Sequence, residues 1–513
     1  MRTDIDLLGE LPTRYAAEKP NETALLYDGN AVSFAQLEQR SIQFANALRR
    51  SGIQPGSRIA FLDKNSEHFF YILFGAAKAG VALVTVNFRL TAPEVRYILN
   101  DAEAELVFCA AEFAPLACAD DPELASLKQT LVIENGGSGL SHWFGDEPVT
   151  LTAEPGINPT DCAVQMYTSG TTGHPKGVEL SHHAMVMAAR DGLSVWPVMF
   201  RPGAAVLATM PLFHIAAANL CIAALYAGGR AEIVRDVPVP ELAQMISTHR
   251  IAIVPLPAAT VHAILALPNI NTLDFGALDT LLIAGSGIAV DLLRRAQDVL
   301  KCGFALSYGM TECCGGLTYL GPDQCVPDAG RRLGSAGKAI GDNHIRILRQ
   351  DGSEADVGEI GEIACQSERQ MNGYWRRPEA TAEVLRDGWY LSGDAGYLDE
   401  DGFLFVVDRI KDMVVSGGEN IYPAEIEQAL SDHPAIDQVS VIGVPDERWG
   451  EALLALIIPV AEKRLSADDY IDFLRPRLAG FKIPRRYAFV DDYPRNATGK
   501  ILKRVLREHY GPV

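Results

Sequence analysis

At 513 residues the chain exceeds what one hydrophobic core usually serves, so at least two domains are expected. Hydrophobic residues make up 48% and charged residues 21%, an ordinary globular balance. The formal net charge of −20 disfavours a nucleic-acid binder, which needs a basic face, and general adhesion to anionic lipid.

The first residues, Met1-Arg2-Thr3-Asp4-Ile5-Asp6, carry neither the basic nor the apolar region of a signal peptide. Residues 21–110 alternate strand and helix signals. Ser33 and Gln36 form a capping box before Phe34, Leu37, Phe44 and Leu48, with Gly52 as the stop. A buried strand at 58–62, a helix at 67–78 and a strand at 81–86 follow. Thr91 then caps a helix with Pro93 in its first turn, ahead of a strand at 106–108. This β-α-β-α-β order implies a largely parallel sheet covered by helices.

The pattern resumes with strands at 206–208, 231–234, 251–254 and 280–284. The most membrane-like run, 206–227, is interrupted by Pro211, His214 and Asn219 and reads as a buried helix rather than a span. From 334 to 407, short strands with frequent Gly and Asp indicate a β-rich subdomain. The charged joint Arg409-Ile410-Lys411-Asp412 leads into a compact α+β region. The expected fold is therefore α/β: a large N-terminal domain (1–409) of layered sheets with helices, and a small mobile α+β domain (410–513). The nine cysteines are scattered and odd in number, as reduced thiols in a cytoplasmic protein would be.

Between strand-like residues 162–166 and a helical run from His182 lies Tyr167-Thr168-Ser169-Gly170-Thr171-Thr172-Gly173-His174-Pro175-Lys176-Gly177. Its glycines let backbone N–H groups converge, and hydroxyls without competing carboxylates suit a polyphosphate. It is not a Walker A motif, because Lys176 is flanked by Pro175 and Gly177 instead of opening a helix.

This run closely resembles the phosphate loop of the adenylate-forming superfamily, which includes acyl-CoA synthetases, luciferases and peptide-synthetase adenylation domains. Six further stretches match that family in order and spacing: Pro211-Leu212-Phe213-His214, Ala284-Gly285-Ser286-Gly287, Tyr308-Gly309-Met310-Thr311-Glu312, Leu391-Ser392-Gly393-Asp394, residues 408–427 and residues 494–503. Together with the phosphate loop they span 167–503.

The residues support the assignments that the resemblance implies. Tyr308 can lie against adenine, Gly309 lets the backbone approach, Thr311 can donate to the α-phosphate, and Glu312 is a hard oxygen ligand for Mg²⁺. Alone, Asp394 would read as a turn residue; the family places its ribose-binding Asp here, with Arg409 as second contact. Thr168, Ser169, Gly170, Thr171, Thr172, Gly173 and Lys176 are implied phosphate contacts, and Gly285 and Ser286 implied nucleotide contacts. The family's adenylation lysine falls on Lys500 and its hinge on Lys411, where both Lys and Asp occur. Gly417 and Gly418 match the loop that lines a pantetheine tunnel. Trp449, Lys482 and Arg485 match positions that hold the nucleotide end of coenzyme A. Asp408 departs from the pattern, standing where many relatives have glycine.

The implied activity is an ATP-dependent carboxylic acid–CoA ligase, forming acyl-AMP and then acyl-CoA with Mg²⁺. The acyl pocket is expected from His214, Ala217, Ala218, Ala258, Gly287 and Gly309. These small or apolar residues favour a medium- or long-chain or bulky fatty acid, with an aryl or arylpropenoic acid second. Two rivals are a luciferase-like oxygenase, against which the terminal Tyr510-Gly511-Pro512-Val513 lacks a peroxisomal tripeptide, and a catalytically silent nucleotide-binding protein of the same fold. The partners are small molecules, with no nucleic acid and no membrane span. The oligomeric state stays open.

Overall fold

The computed structural model describes residues 5–133, 138–152, 156–168, 174–283, 288–416, 419–446, 448–460, 464–495 and 501–511. Contacts divide the chain into two units, Met1–Ile345 with Cys365–Tyr390, and Arg346–Ala364 with Leu391–Val513. Residues 346–364 and 391–409 thus go with the C-terminal part, whereas the sequence places the boundary after 409.

The first unit contains two seven-stranded sheets among its described residues. In one, strands Arg58–Leu62, Ala82–Thr85, Leu106–Ala110 and Gln129–Ile133 run parallel. The residues of 58–62, 82–85 and 106–110 are all buried, as expected for parallel strands covered on both faces. The helices of this unit begin and end where the local chemistry dictates. Ser33 and Gln36 close the expected capping box on helix Phe34–Arg50, at 3.2 and 2.9 Å. Thr91 and Glu94 do the same for Ala92–Asp101. Helix His68–Ala79 stops at Gly80, whose φ of 71° is the left-handed conformation glycine accepts most readily.

At one end of this sheet, Cys162–Thr168 continues the parallel set and Lys176–Ser181 turns back antiparallel to it. Thr168 and Lys176 are register partners, so the sheet itself brings together the two ends of the phosphate loop. Ser181 caps the next helix, His182–Val195, accepting from the Ala184 N–H at 3.0 Å. The second sheet carries Ala205–Ala208, Ile253–Leu256 and Thr280–Ile283, with helix Ile215–Tyr226 packed on it. The membrane-like run is therefore a strand and a buried helix. No helix among the described residues is long and apolar enough to cross a membrane.

In the second unit, residues 394–398 of the strand Trp389–Leu398 pair antiparallel with Leu404–Arg409. A further sheet is built on the hairpin Ile436–Asp446 and Gly450–Pro459. The hairpin's strands alternate cleanly. Val441, Leu453, Ala455 and Ile457 pack with Ile426, Leu430, Tyr470 and Leu474, from helices Pro423–Ser431 and Ala467–Leu474. Ile442, Val444, Leu454 and Leu456 pack with Leu506, from helix Lys503–Tyr510. A period of two thus supplies two apolar faces from one hairpin.

Candidate active site

Glu312 sits in a single helical turn, Thr311–Cys313, and is 8% exposed. Its Oε1 accepts from the Thr168 hydroxyl at 3.2 Å and the Tyr374 hydroxyl at 3.1 Å. The Met371 N–H donates to its backbone carbonyl at 2.8 Å. Burial and the adjacent carboxylate push the Tyr374 phenol up, so it is a neutral donor at physiological pH. Among the described residues no cluster of three or more His, Cys, Asp or Glu side chains could enclose a metal. One carboxylate with neighbouring hydroxyls is instead the hard, sparse oxygen set that suits Mg²⁺ shared with substrate phosphates.

The flanks of the phosphate loop are tied down. The Tyr167 hydroxyl donates to Asp101 at 2.8 Å, the Tyr97 hydroxyl to the Pro175 carbonyl at 3.1 Å, and the Tyr97 ring stacks on His174 at 4.7 Å. Lys176 lies over the Tyr374 ring, 4.8 Å from its centroid. Tyr97 and Asp101 both come from helix Ala92–Asp101, and no sequence motif pointed to either. Ser169, Gly170, Thr171, Thr172 and Gly173 lie outside the described residues, as do Gly285, Ser286, Gly287, Gly417, Gly418 and Lys500.

Tyr308 is anchored through its backbone. Its N–H donates to the Thr318 hydroxyl at 3.2 Å, and its carbonyl accepts from the Leu317 N–H at 2.7 Å. Gly309 pairs with Gly316 so closely that a Cβ on Gly309 would meet the Gly315 carbonyl oxygen at 2.0 Å, so only glycine fits.

Beside this hairpin lies a cavity of ≈ 420 Å³. His214 and Gly309, two residues of the expected acyl wall, line it, and so does Thr311, which the resemblance assigned to the α-phosphate. Helix Ile215–Tyr226 contributes Ile215, Ala216, Asn219 and Leu220, which form one helical face. Ala217 and Ala218, expected in the acyl wall, do not line it; they are buried in the interior at 2% and 1% exposure. Ala258 is likewise absent from the lining, which takes Pro255 from the preceding strand. Helix His182–Val195 and the residue after it supply Ala188, Gly192, Val195 and Trp196, none of which the motifs foresaw. Burial, aided by Arg89, lowers the His214 imidazole to about 4, so it is neutral at physiological pH.

In the second unit, Asp394 and Arg409 are cross-strand partners. The buried Asp394 carboxylate meets the Arg409 Nε at 2.7 Å. The Asp394 N–H donates to the Ser392 hydroxyl at 3.0 Å, and Ser392 donates to the Ile363 carbonyl at 2.7 Å. Asp408 has a local explanation: its carboxylate accepts from the Ala424 N–H at 2.8 Å, in the first turn of helix Pro423–Ser431. Lys411 is exposed, and its neighbour Asp412 is buried and paired with Arg507 at 2.7 Å. Two guanidinium groups lie over the Trp449 ring, Arg448 at 4.6 Å and Arg485 at 4.3 Å, while Lys482 pairs with Glu425 at 2.7 Å.

A hydroxyl-rich loop closed by two strands, a buried carboxylate beside it and an adjoining apolar cavity define a nucleotide-dependent activator of small organic acids. The family model for AMP-binding enzymes matches residues 13–375, and that for their C-terminal domain matches 425–500. The chain belongs to the AMP-binding enzyme family. It is similar to a fatty acid–[acyl-carrier-protein] ligase of Streptomyces coeruleorubidus, 38% identical over 97% of this chain and 95% of that protein. It is also similar to a feruloyl-CoA synthase of an Amycolatopsis species, 37% identical over 98% and 99%. A solved fatty acyl CoA synthetase of Mycobacterium tuberculosis superposes with a TM-score of 0.80 at 32% identity, covering 99% of this chain and 98% of that one. The protein is an AMP-forming acid–thiol ligase that uses ATP, Mg²⁺ and coenzyme A.

Proposed function

We propose that the chain activates an apolar carboxylic acid held in the ≈ 420 Å³ cavity and passes it to the thiol of coenzyme A. The observation that carries this reading is the Thr168–Glu312 contact, which brings the phosphate-loop strand to a buried carboxylate whose neighbouring residue, Thr311, lines that cavity. In the first step a carboxylate oxygen attacks the α-phosphorus and the bond to the β-phosphate breaks, releasing pyrophosphate. In the second the thiol sulfur attacks the acyl carbon, AMP leaves with the bonding electrons, and the thiol proton goes to solvent. AMP is a good leaving group, so no enzyme nucleophile is needed.

The chain's own residues position and stabilise. Glu312 and the Thr168 hydroxyl would hold Mg²⁺, which supplies charge neutralisation for the phosphates. Thr311 donates to the α-phosphate, Tyr308 lies against adenine, and Asp394 with Arg409 takes the ribose hydroxyls. Lys176 assists the phosphate loop. Lys500 stabilises the charge that grows at the α-phosphate. Lys411 serves as the hinge, so that Lys500 acts in adenylation and the Gly417-Gly418 loop in thioester formation. Trp449, Lys482 and Arg485 form the nucleotide contact for coenzyme A. The names of the two relatives cover both an alkyl and an aryl acid. Dependence on ATP and coenzyme A supports a cytoplasmic location.

The half-reactions test this reading. Lys500→Ala should lower pyrophosphate release by about 10²–10³ and largely keep thioester formation from pre-made acyl-AMP. Gly418→Leu should do the reverse. Equal losses in both half-reactions for both variants would sink the division of labour.

A further inference from the structure

The acyl cavity is not a plain hydrocarbon slot. Trp196 and Tyr319 both line it, with their rings edge-to-face and centroids 6.2 Å apart. Neither the Trp196 indole N–H nor the Tyr319 hydroxyl makes a hydrogen bond of ordinary geometry, and both atoms are closed to solvent. The two groups still feel each other. Burial pushes the Tyr319 phenol up to about 12, and the Trp196 and Thr280 side chains act in the opposite direction. The phenol therefore stays protonated, and just behind the cavity wall lie an indole N–H drawn toward the phenol oxygen and a phenol hydrogen that meets no acceptor in ordinary geometry. Native interiors rarely leave such groups unpaired without a functional reason.

Their place along the cavity is set by the hairpin. Gly309 pairs with Gly316 at the end where Thr311 lies, which the proposed function makes the reacting end. Tyr319 follows Gly316 by three residues, about 10 Å at the rise of an extended chain. That is roughly the span of a phenylpropenoic acid from carboxylate to the oxygen on the far side of its ring. Trp196 is held there by Gly192, where an added Cβ would meet the indole Cζ3 at 2.9 Å.

We infer that Trp196 and Tyr319 are specificity-determining residues that select an aryl acid bearing a ring oxygen remote from its carboxylate. The ring oxygen enters between the indole N–H and the phenol and accepts from both, by a small shift of the Tyr319 side chain. An alkyl chain reaching the same wall leaves both donors unpaired. This reverses the preference for a fatty acid drawn from the pocket's alanines, and it rests on the acid–CoA ligase reading. Sites built to hydrogen-bond a substrate group reject the analogue lacking it far better than they discriminate methylenes.

The test compares kcat/KM for pyrophosphate release with 4-hydroxycinnamate, cinnamate and decanoate, using the full chain with ATP, Mg²⁺ and coenzyme A. The oxygenated acid should exceed cinnamate by about tenfold or more, the effect of one hydrogen bond. Tyr319→Phe and, independently, Trp196→Phe should each remove most of that ratio by lowering the 4-hydroxycinnamate value, leaving cinnamate nearly unchanged. Equal kcat/KM for the two aryl acids in the unaltered enzyme, or decanoate as the best of the three, overturns the inference while leaving the ligase reading intact. A variant that slows all acids alike also overturns it, because that is the mark of a packing role. Pyrophosphate release with none of the three overturns both.

Discussion

The Thr168 hydroxyl donates to Glu312 Oε1 at 3.2 Å, joining positions 144 apart in the sequence. Thr168 ends one strand and its register partner Lys176 begins the next, so the buried Glu312 carboxylate lies beside the two strand ends that flank the phosphate loop. Tyr374, on the other side of Glu312, comes from a strand paired with Lys176–Ser181. Glu312→Gln keeps the shape and removes the charge. It should cut pyrophosphate release by about 10²–10³, as loss of other electrostatic stabilisers does, and raise the Mg²⁺ concentration for half-maximal rate. A Mg²⁺ titration unchanged from that of the parent enzyme would remove Glu312 from the metal site.

Asp394 meets Arg409 across two antiparallel strands, which fixes the carboxylate at 7% exposure. Asp394→Ala should weaken ATP binding by roughly 1.5–3 kcal/mol, the worth of a charge-assisted hydrogen bond. Calorimetric titration of ATP reads this directly. Unaltered affinity would place the ribose elsewhere.

The helix Ile215–Tyr226 offers an internal control for the acyl site. Ala216 lines the cavity, whereas Ala218 is buried away from its lining. Ala216→Phe should narrow the range of accepted acids while leaving thermal stability near that of the parent. Ala218→Phe should overpack the core, costing typically 1–3 kcal/mol, with the substrate profile kept among the molecules that fold. The opposite pattern, in profile and melting temperature, would invert the assignment of the two faces.

Three histidines, His68, His182 and His214, are lowered to about 4, chiefly by burial. In the unfolded chain each titrates near 6.5. Between those values the unfolded chain binds more protons, so stability rises with pH, is fully present above 6.5 and is lost as pH falls toward 4. Each histidine should contribute a slope of about 1 kcal/mol per pH unit in that window. His182, with 0% exposure and both ring nitrogens unpartnered, is the cleanest to remove. The His182→Asn variant should show a shallower fall in denaturation free energy from pH 6.5 to 4.5 than the parent; parallel curves would refute the assignment. For the same reason, protonation of His214 should give no limb near 6.5 in the activity profile.

Much of this protein is legible in its sequence by itself, because the signals are local. The capping box at Ser33, the cap at Thr91 and the stop at Gly52 depend only on neighbours a few positions away, and each appears in the structure. The phosphate loop and the Tyr308–Glu312 stretch are likewise contiguous, so the resemblance to the adenylate-forming family is legible in them, whereas Asp394 by itself reads as a turn residue. Tertiary structure alone decided which side chains meet. Helical geometry turned Ala216 and Asn219 into the cavity and Ala217 and Ala218 into the core, a choice the run of alanines does not reveal. Trp196 and Tyr319, 123 positions apart, share the cavity wall only because the helix ending at Val195 and the hairpin through Gly316 pack side by side. No spacing rule joins two such residues, and the proposed selectivity for the far end of the acid rests on this non-local contact rather than on any motif.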